Sequence, residues 1–162
     1  MAVQQAPDFT IGHLEGHTVS LSDHPGKKVV MFAARNSADQ AKQATQAIRQ
    51  RYDAEELPVL LIVDVSSLPR VMHRVAKSQL KKGYAEAVEM AKADYAQQGK
   101  AFPADASKVV VMLPDYDGSV TAGFDVGDVD KAAVAVLVDE GGKVLGSASG
   151  PGAGEQILQL LG

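Results

Sequence analysis

The stretch Lys28-Val29-Val30-Met31-Phe32-Ala33-Ala34-Arg35-Asn36-Ser37-Ala38-Asp39-Gln40 decides the fold. Its first six residues form a short apolar run, β-branched at the start, that suits a strand buried on both faces. Ser37-Ala38-Asp39-Gln40 then reads as a capping box: Ser37 accepts from the backbone N–H of Gln40 while Gln40 reaches back. The spacing predicts a helix from there to about Tyr52, with Ala41, Ala44, Ala47 and Ile48 inward. Gln43, Gln46, Arg49 and Gln50 fall mostly on the outer face. After Pro58, Val59-Leu60-Leu61-Ile62-Val63-Asp64-Val65 is a second buried strand. Strand, helix and strand in that order imply a right-handed crossover and a parallel pair.

Working outward, Phe9-Thr10-Ile11 and Thr18-Val19-Ser20-Leu21 flank a glycine-containing segment and predict a hairpin. Lys108 to Leu113 reads as a third buried strand, and Pro114 to Gly118 as a turn before one or two helical turns over 119–124. Ala133 to Val138 connects through Glu140-Gly141-Gly142-Lys143 to Val144-Leu145-Gly146, the spacing of a β-hairpin. A last helix covers about 154–161. Between the second and third strands lies a helical insert, about 68–98, read as two helices broken near Gly83. Its first half places Val71, Met72 and Val75 as core, and its second half places Tyr84, Val88, Ala91 and Tyr95 at helical spacing.

Composition bounds the function classes. The chain has 162 residues, 46% hydrophobic and 22% charged, with a net charge of −4. That fits one globular domain with a real core. Interspersed charge argues against a nucleic-acid binder working through bulk charge. There is no apolar run of about 18 residues, so no membrane span and no membrane partner is expected. No basic segment followed by an apolar one precedes Pro7-Asp8-Phe9, so a cytoplasmic location is the expectation, although a trimmed signal peptide would leave no trace. The chain contains no cysteine. Thiolate is the nucleophile of thiol redox chemistry, and no other side chain cycles between dithiol and disulfide.

Several constellations carry two readings. Ser37 is an N-cap, worth about 1 kcal/mol to its helix, or a group that activates a thiol ligand at a helix N-terminus. His13 and His17 have the i, i+4 spacing of a zinc pair, but a glycine lies between them in a predicted hairpin with no third ligand downstream. They read better as surface-turn histidines, and no metal or cofactor is expected. Asp115, Asp117, Asp125, Asp128 and Asp130 lack the ligand spacing of a calcium loop and read as turn residues. Arg70, His73, Arg74, Lys77, Lys81 and Lys82 form a basic stripe with no acidic residue among them. It is either a solvated helix face or a candidate contact for an acidic protein, a small anionic ligand or a second copy of the chain as a homodimer.

The words Ala6-Pro7-Asp8-Phe9-Thr10, Gly16-His17-Thr18-Val19-Ser20-Leu21-Ser22-Asp23 and Pro25-Gly26-Lys27-Lys28-Val29-Val30 resemble an N-terminal signature of the thioredoxin-like redoxins. That superfamily includes peroxiredoxins of the alkyl hydroperoxide reductase C type and thiol–disulfide oxidoreductases. Ala135 to Val144 resembles its C-terminal hairpin, and Phe124-Asp125-Val126 sits where members often carry an aromatic-glycine-valine. The resemblance covers most of the chain except the insert. It implies a catalytic cysteine at the N-terminus of the first long helix, where Ser37 and Gln40 stand at about the spacing of C-x-x-C. A cis-proline is implied before the C-terminal strands, where Ala133 stands. The arginine of peroxiredoxins has no match, since Lys131 is out of step.

The expectation is therefore a single α/β domain over 1–162, thioredoxin-like, with a central mixed β-sheet flanked by helices, an N-terminal β-hairpin and a two-helix insert. Arg35, Asn36, Ser37, Gln40 and Ala133 mark a degenerate active site, with no catalytic residue assigned. Arg70, His73, Arg74, Lys77 and Lys81 are candidate partner-binding residues. The functional expectation is a redox-inactive binding or assembly module, more a non-enzyme than an enzyme. The alternative is a non-thiol enzyme, such as a glutathione-dependent activity using Ser37.

Overall fold

The computed structural model describes residues 4–162. Chain order begins with β1 (Thr10–Gly12) and β2 (Thr18–Ser20), an antiparallel hairpin of its own. There follow β3 (Lys28–Ala33), α1 (Ala38–Arg49), β4 (Val59–Asp64), α2 (His73–Gln97), β5 (Val111–Asp115) and α3 (Ser119–Gly123). The chain closes with β6 (Val134–Val138), β7 (Val144–Ser149) and α4 (Ala153–Leu161). The main sheet runs β5-β4-β3-β6-β7, parallel across β5, β4 and β3 and antiparallel across β3, β6 and β7. β3 lies at the centre and is buried at every position, as a continuous apolar run requires.

Alternation along the strands builds two layers. Met31, Ala135 and Leu137 pack against Ile48 of α1 and Ile157 of α4. Phe32, Ile62 and Val136 face the other way, onto Phe124 beside α3 and onto Val19 and Leu21 of the hairpin region. Gly154 lets α4 approach α1 closely: a Cβ there would stand 2.7 Å from the carbonyl oxygen of Ala44. At the start of β3, Lys28 is buried and its ammonium donates to the carbonyls of His24 at 2.7 Å, Gly26 at 3.2 Å and Asp139 at 3.4 Å. Three donors meet three acceptors, which is how a buried lysine is accommodated.

Several local expectations are corrected. The insert is one helix, not two: α2 runs unbroken through Gly83, after a single 3-10 turn at Arg70–Met72. A mid-helix glycine costs about 1 kcal/mol, and anchors on both sides carry it. Ala76 and Tyr84 pack with Val63 and Met112, while Ala91 and Tyr95 pack with Ala54 and Val109. Val71, Met72 and Val75 are not core; they are 84%, 43% and 47% exposed. Ala76 and Leu80 take the inward positions instead. The third strand begins later than expected and includes Pro114, which an edge strand tolerates because its unpaired side needs no N–H. His13 is no surface histidine. It is buried under the hairpin turn, with His17 stacked on it at 4.5 Å. Arg49, expected on the outer face of α1, is 5% exposed.

Asp125 follows α3 with φ of 52°, a left-handed conformation that favours glycine. It occupies the position where the resemblance places a glycine.

Candidate functional site

The end of β3 leads through a 3-10 turn, Arg35–Ser37, into α1, and this turn faces the loop that precedes β6. Three side chains cross the gap. The Ser37 hydroxyl donates to the carbonyl of Val129 and accepts from the N–H of Ala34 at 3.0 Å, and Ser37 is fully buried. The Asn36 side-chain amide donates to Asp130 Oδ2 at 2.8 Å, and its backbone N–H donates to Oδ1 at 3.0 Å. Gln40 Oε1 accepts from the N–H of Ala133 at 3.0 Å. The capping box is thus not formed. Ser37 and Gln40 instead satisfy polar groups of the facing loop, which buried backbone requires.

Four of the five residues singled out at this place therefore join one seam, Asn36, Ser37, Gln40 and Ala133. The fifth, Arg35, stands exposed at its rim. Asp130 was a turn residue in the sequence reading; here its carboxylate is held below the usual range by the Asn36 hydrogen bonds and by the charge of Arg35. It is an internal anion at the entry to α1, the place where a helix start favours negative charge. The Gln40 bond exists because position 133 is alanine. A proline there has no N–H to give.

Beside the seam, between α1 and α2, runs a groove of about 630 Å³. Its floor is aliphatic: Val59, Leu61 and Val63 of β4, with Val111 and Met112 of β5. Arg35, Asn36 and Asp130 line it at the seam. Arg49 and Asp94 also line it, with Met72 of the 3-10 turn and Gly83 and Met90 of α2. The Arg49 guanidinium donates through Nη1 to the carbonyl of Leu57 at 2.8 Å, and burial lowers its pKa. Among the described residues no carboxylate reaches it at ion-pair distance. Asp94 is pushed upward by burial, against the pull of Arg49. The groove's volume falls within the range of small-molecule pockets, and charged residues such as Asp39, Lys42 and Glu86 line it beside the aliphatic floor. Sequence reading missed the groove, because it arises from the gap between two helices and no motif encodes a gap.

The basic stripe runs from the 3-10 turn, which holds Arg70, onto α2. Arg70, Arg74, Lys77, Lys81 and Lys82 are exposed, and among the described residues none has a carboxylate at ion-pair distance. His73 departs from the stripe: it is half-buried, its Nε2 is 3.2 Å from the Leu68 carbonyl, and its ring meets Tyr116 at 5.2 Å.

The remaining candidates are engaged locally. His13 Nδ1 accepts from the N–H of Glu15 at 2.9 Å, so Nε2 carries the proton and donates to the Val110 carbonyl at 3.2 Å. That assignment excludes the longer 3.4 Å approach of the Met112 N–H to Nε2 as a hydrogen bond. Both ring nitrogens are therefore committed. Asp115 is buried against the hydroxyl of Thr121 at 2.8 Å, and Asp117 and Asp128 accept from N–H groups within their own turns.

No family model and no curated protein matches the chain. Solved structures do. A pneumococcal exposed lipoprotein thioredoxin (Etrx1) from Streptococcus pneumoniae matches 96% of this chain and 98% of its own at 21% identity, with a TM-score of 0.64. A putative thiol:disulfide interchange protein DsbE from Chlorobium tepidum matches 99% and 95% at 19% identity, with a TM-score of 0.63. StoA from Bacillus subtilis matches 99% and 100% at 13% identity, with a TM-score of 0.60. The fold is thioredoxin-like, on a chain without cysteine.

Proposed function

We propose that the chain is a redox-inactive, thioredoxin-fold binding module that takes an apolar small molecule in the groove between α1 and α2. The observation that carries this reading is the groove itself, about 630 Å³ over an aliphatic floor. The neighbouring seam supports the redox-inactive half. Where a thiol chemistry of this fold would place its cysteines, Ser37 and Gln40 are spent on hydrogen bonds to the facing loop. Without cysteine there is no thiolate to attack a peroxide or a disulfide. The glutathione-dependent alternative needs a free Ser37 hydroxyl, whereas that hydroxyl is buried and both its donor and acceptor roles are taken. Asp130 also stands where an incoming anion would have to sit.

The test is titration with the fluorescent amphiphilic anion anilinonaphthalene sulfonate, whose aromatic rings report an apolar site. Saturable binding at one site is expected, weakened roughly tenfold in Gly83→Leu, since Gly83 lines the groove and open space surrounds its Cβ position. Unsaturable binding, or equal binding by the variant, would remove the groove from the account. Turnover of hydrogen peroxide with a thiol reductant, or reduction of insulin disulfides, would sink the redox-inactive half.

A further inference from the structure

The start of α2 combines two properties that ordinary surface lacks. Val71, Met72 and Val75 are exposed there, and so is Tyr116 from the adjoining loop, at 39%. Val71 belongs to the 3-10 turn and Val75 to the first turn of α2, and neither joins the Ala76, Leu80 and Tyr84 cluster that packs onto the sheet; Met72 and Val75 also stand at the rim of the groove between α1 and α2. Around them are Arg70, Arg74, Lys77, Lys81 and Lys82, with no acidic residue between Asp64 and Glu86 in a chain of net charge −4. Among the described residues none of these cations is paired. The nearby acidic groups are spent elsewhere: Asp64 on Ser66, Asp115 on Thr121 and Asp117 on Ser119.

We propose that this end of α2 docks on an anionic lipid surface, with Val71, Met72 and Val75 entering the headgroup layer and the surrounding cations meeting lipid phosphates. Charge complementarity favours this occupant, since unpaired cations ring an apolar tip. Shape favours it over an acidic protein. A stable protein interface needs about 800 Å² per partner with complementary relief, whereas a few exposed side chains at one helix end suffice for a fluid surface. Tyr116 adds an amphipathic ring of the kind that sits at headgroup level. The expectation of no membrane partner rested on the lack of a spanning segment, which does not bear on contact with one leaflet's surface. Among the described residues no helix is long and apolar enough to cross a membrane, so the contact is peripheral.

Co-sedimentation of the full chain with vesicles tests it. Binding is expected to vesicles of equal phosphatidylcholine and phosphatidylglycerol, roughly tenfold above vesicles of phosphatidylcholine alone, and falling as salt rises. The pair Val71→Ser with Val75→Ser and the pair Arg74→Glu with Lys77→Glu should each lower it by about tenfold. These positions are exposed, and circular dichroism with a thermal midpoint checks that the variants fold. Equal sedimentation with both vesicle types, or undiminished binding by the serine pair, overturns the proposal. Absence of vesicle binding combined with Val71-dependent binding of polyglutamate would assign the patch to an acidic protein instead.

Discussion

Ser37 shows how one hydroxyl changes its work with its surroundings. In sequence it is a helix cap. In the structure it is fully buried and joins Ala34 to Val129. Ser37→Ala should therefore destabilise the protein by about 1–3 kcal/mol, the cost of leaving a buried donor and acceptor unpaired. A denaturant midpoint measures it, and a loss of a few tenths of a kcal/mol would mean that the seam is not structural. The pattern of Ser37 and Gln40 near the helix start was legible in the sequence. Their partners Val129 and Ala133 lie 92 and 93 residues away in the chain, so no local rule points to them. Arg49 was placed on the wrong face for a related reason. Helical periodicity sorts residues by polarity, whereas its guanidinium is drawn inward by the Leu57 carbonyl.

At the scale of elements, two helical glycines predict opposite outcomes. Gly83 has nothing within 4 Å of its Cβ position, so Gly83→Ala should stabilise α2 by about 0.5–1 kcal/mol through the unfolded chain and helix propensity. A Cβ at Gly154 would stand 2.7 Å from the carbonyl oxygen of Ala44, so Gly154→Ala should cost about 1–3 kcal/mol by forcing α4 off α1. Thermal midpoints should move in opposite directions, and a common direction would contradict this packing. Sequence alone reads Gly83 as a breaker and Gly154 only as the start of the last helix. It splits α2 at Gly83 because propensity is local, while the anchors Tyr84, Ala91 and Tyr95 that hold the helix together are tertiary. The same locality misplaced Val71, Met72 and Val75, whose apolar character suggested a core that Ala76 and Leu80 had already filled.

For the whole molecule, pH reports on how the hairpin is seated. Burial lowers the pKa of His13 and of His24. The unfolded chain takes up protons as pH falls through about 6.5, while the folded chain resists until a lower pH. Stability is therefore full above about 6.5 and declines from there downward. The denaturant midpoint should fall between pH 7.5 and 5, and His13→Asn should reduce that slope, because protonated Nδ1 would oppose the Glu15 N–H. A slope unchanged by the substitution would place the effect elsewhere. The sequence by itself determined the order of the strands, the thioredoxin-like α/β fold and the absence of cysteine. Hydrophobic periodicity and residue chemistry are properties of the chain, so they can be read along it. Only the tertiary structure decided that the helix entry is sewn to the loop before β6, that a groove remains beside it, and that the start of α2 is exposed. Each depends on what stands opposite a residue in space, and burial and pairing are relations between distant segments rather than attributes of a residue.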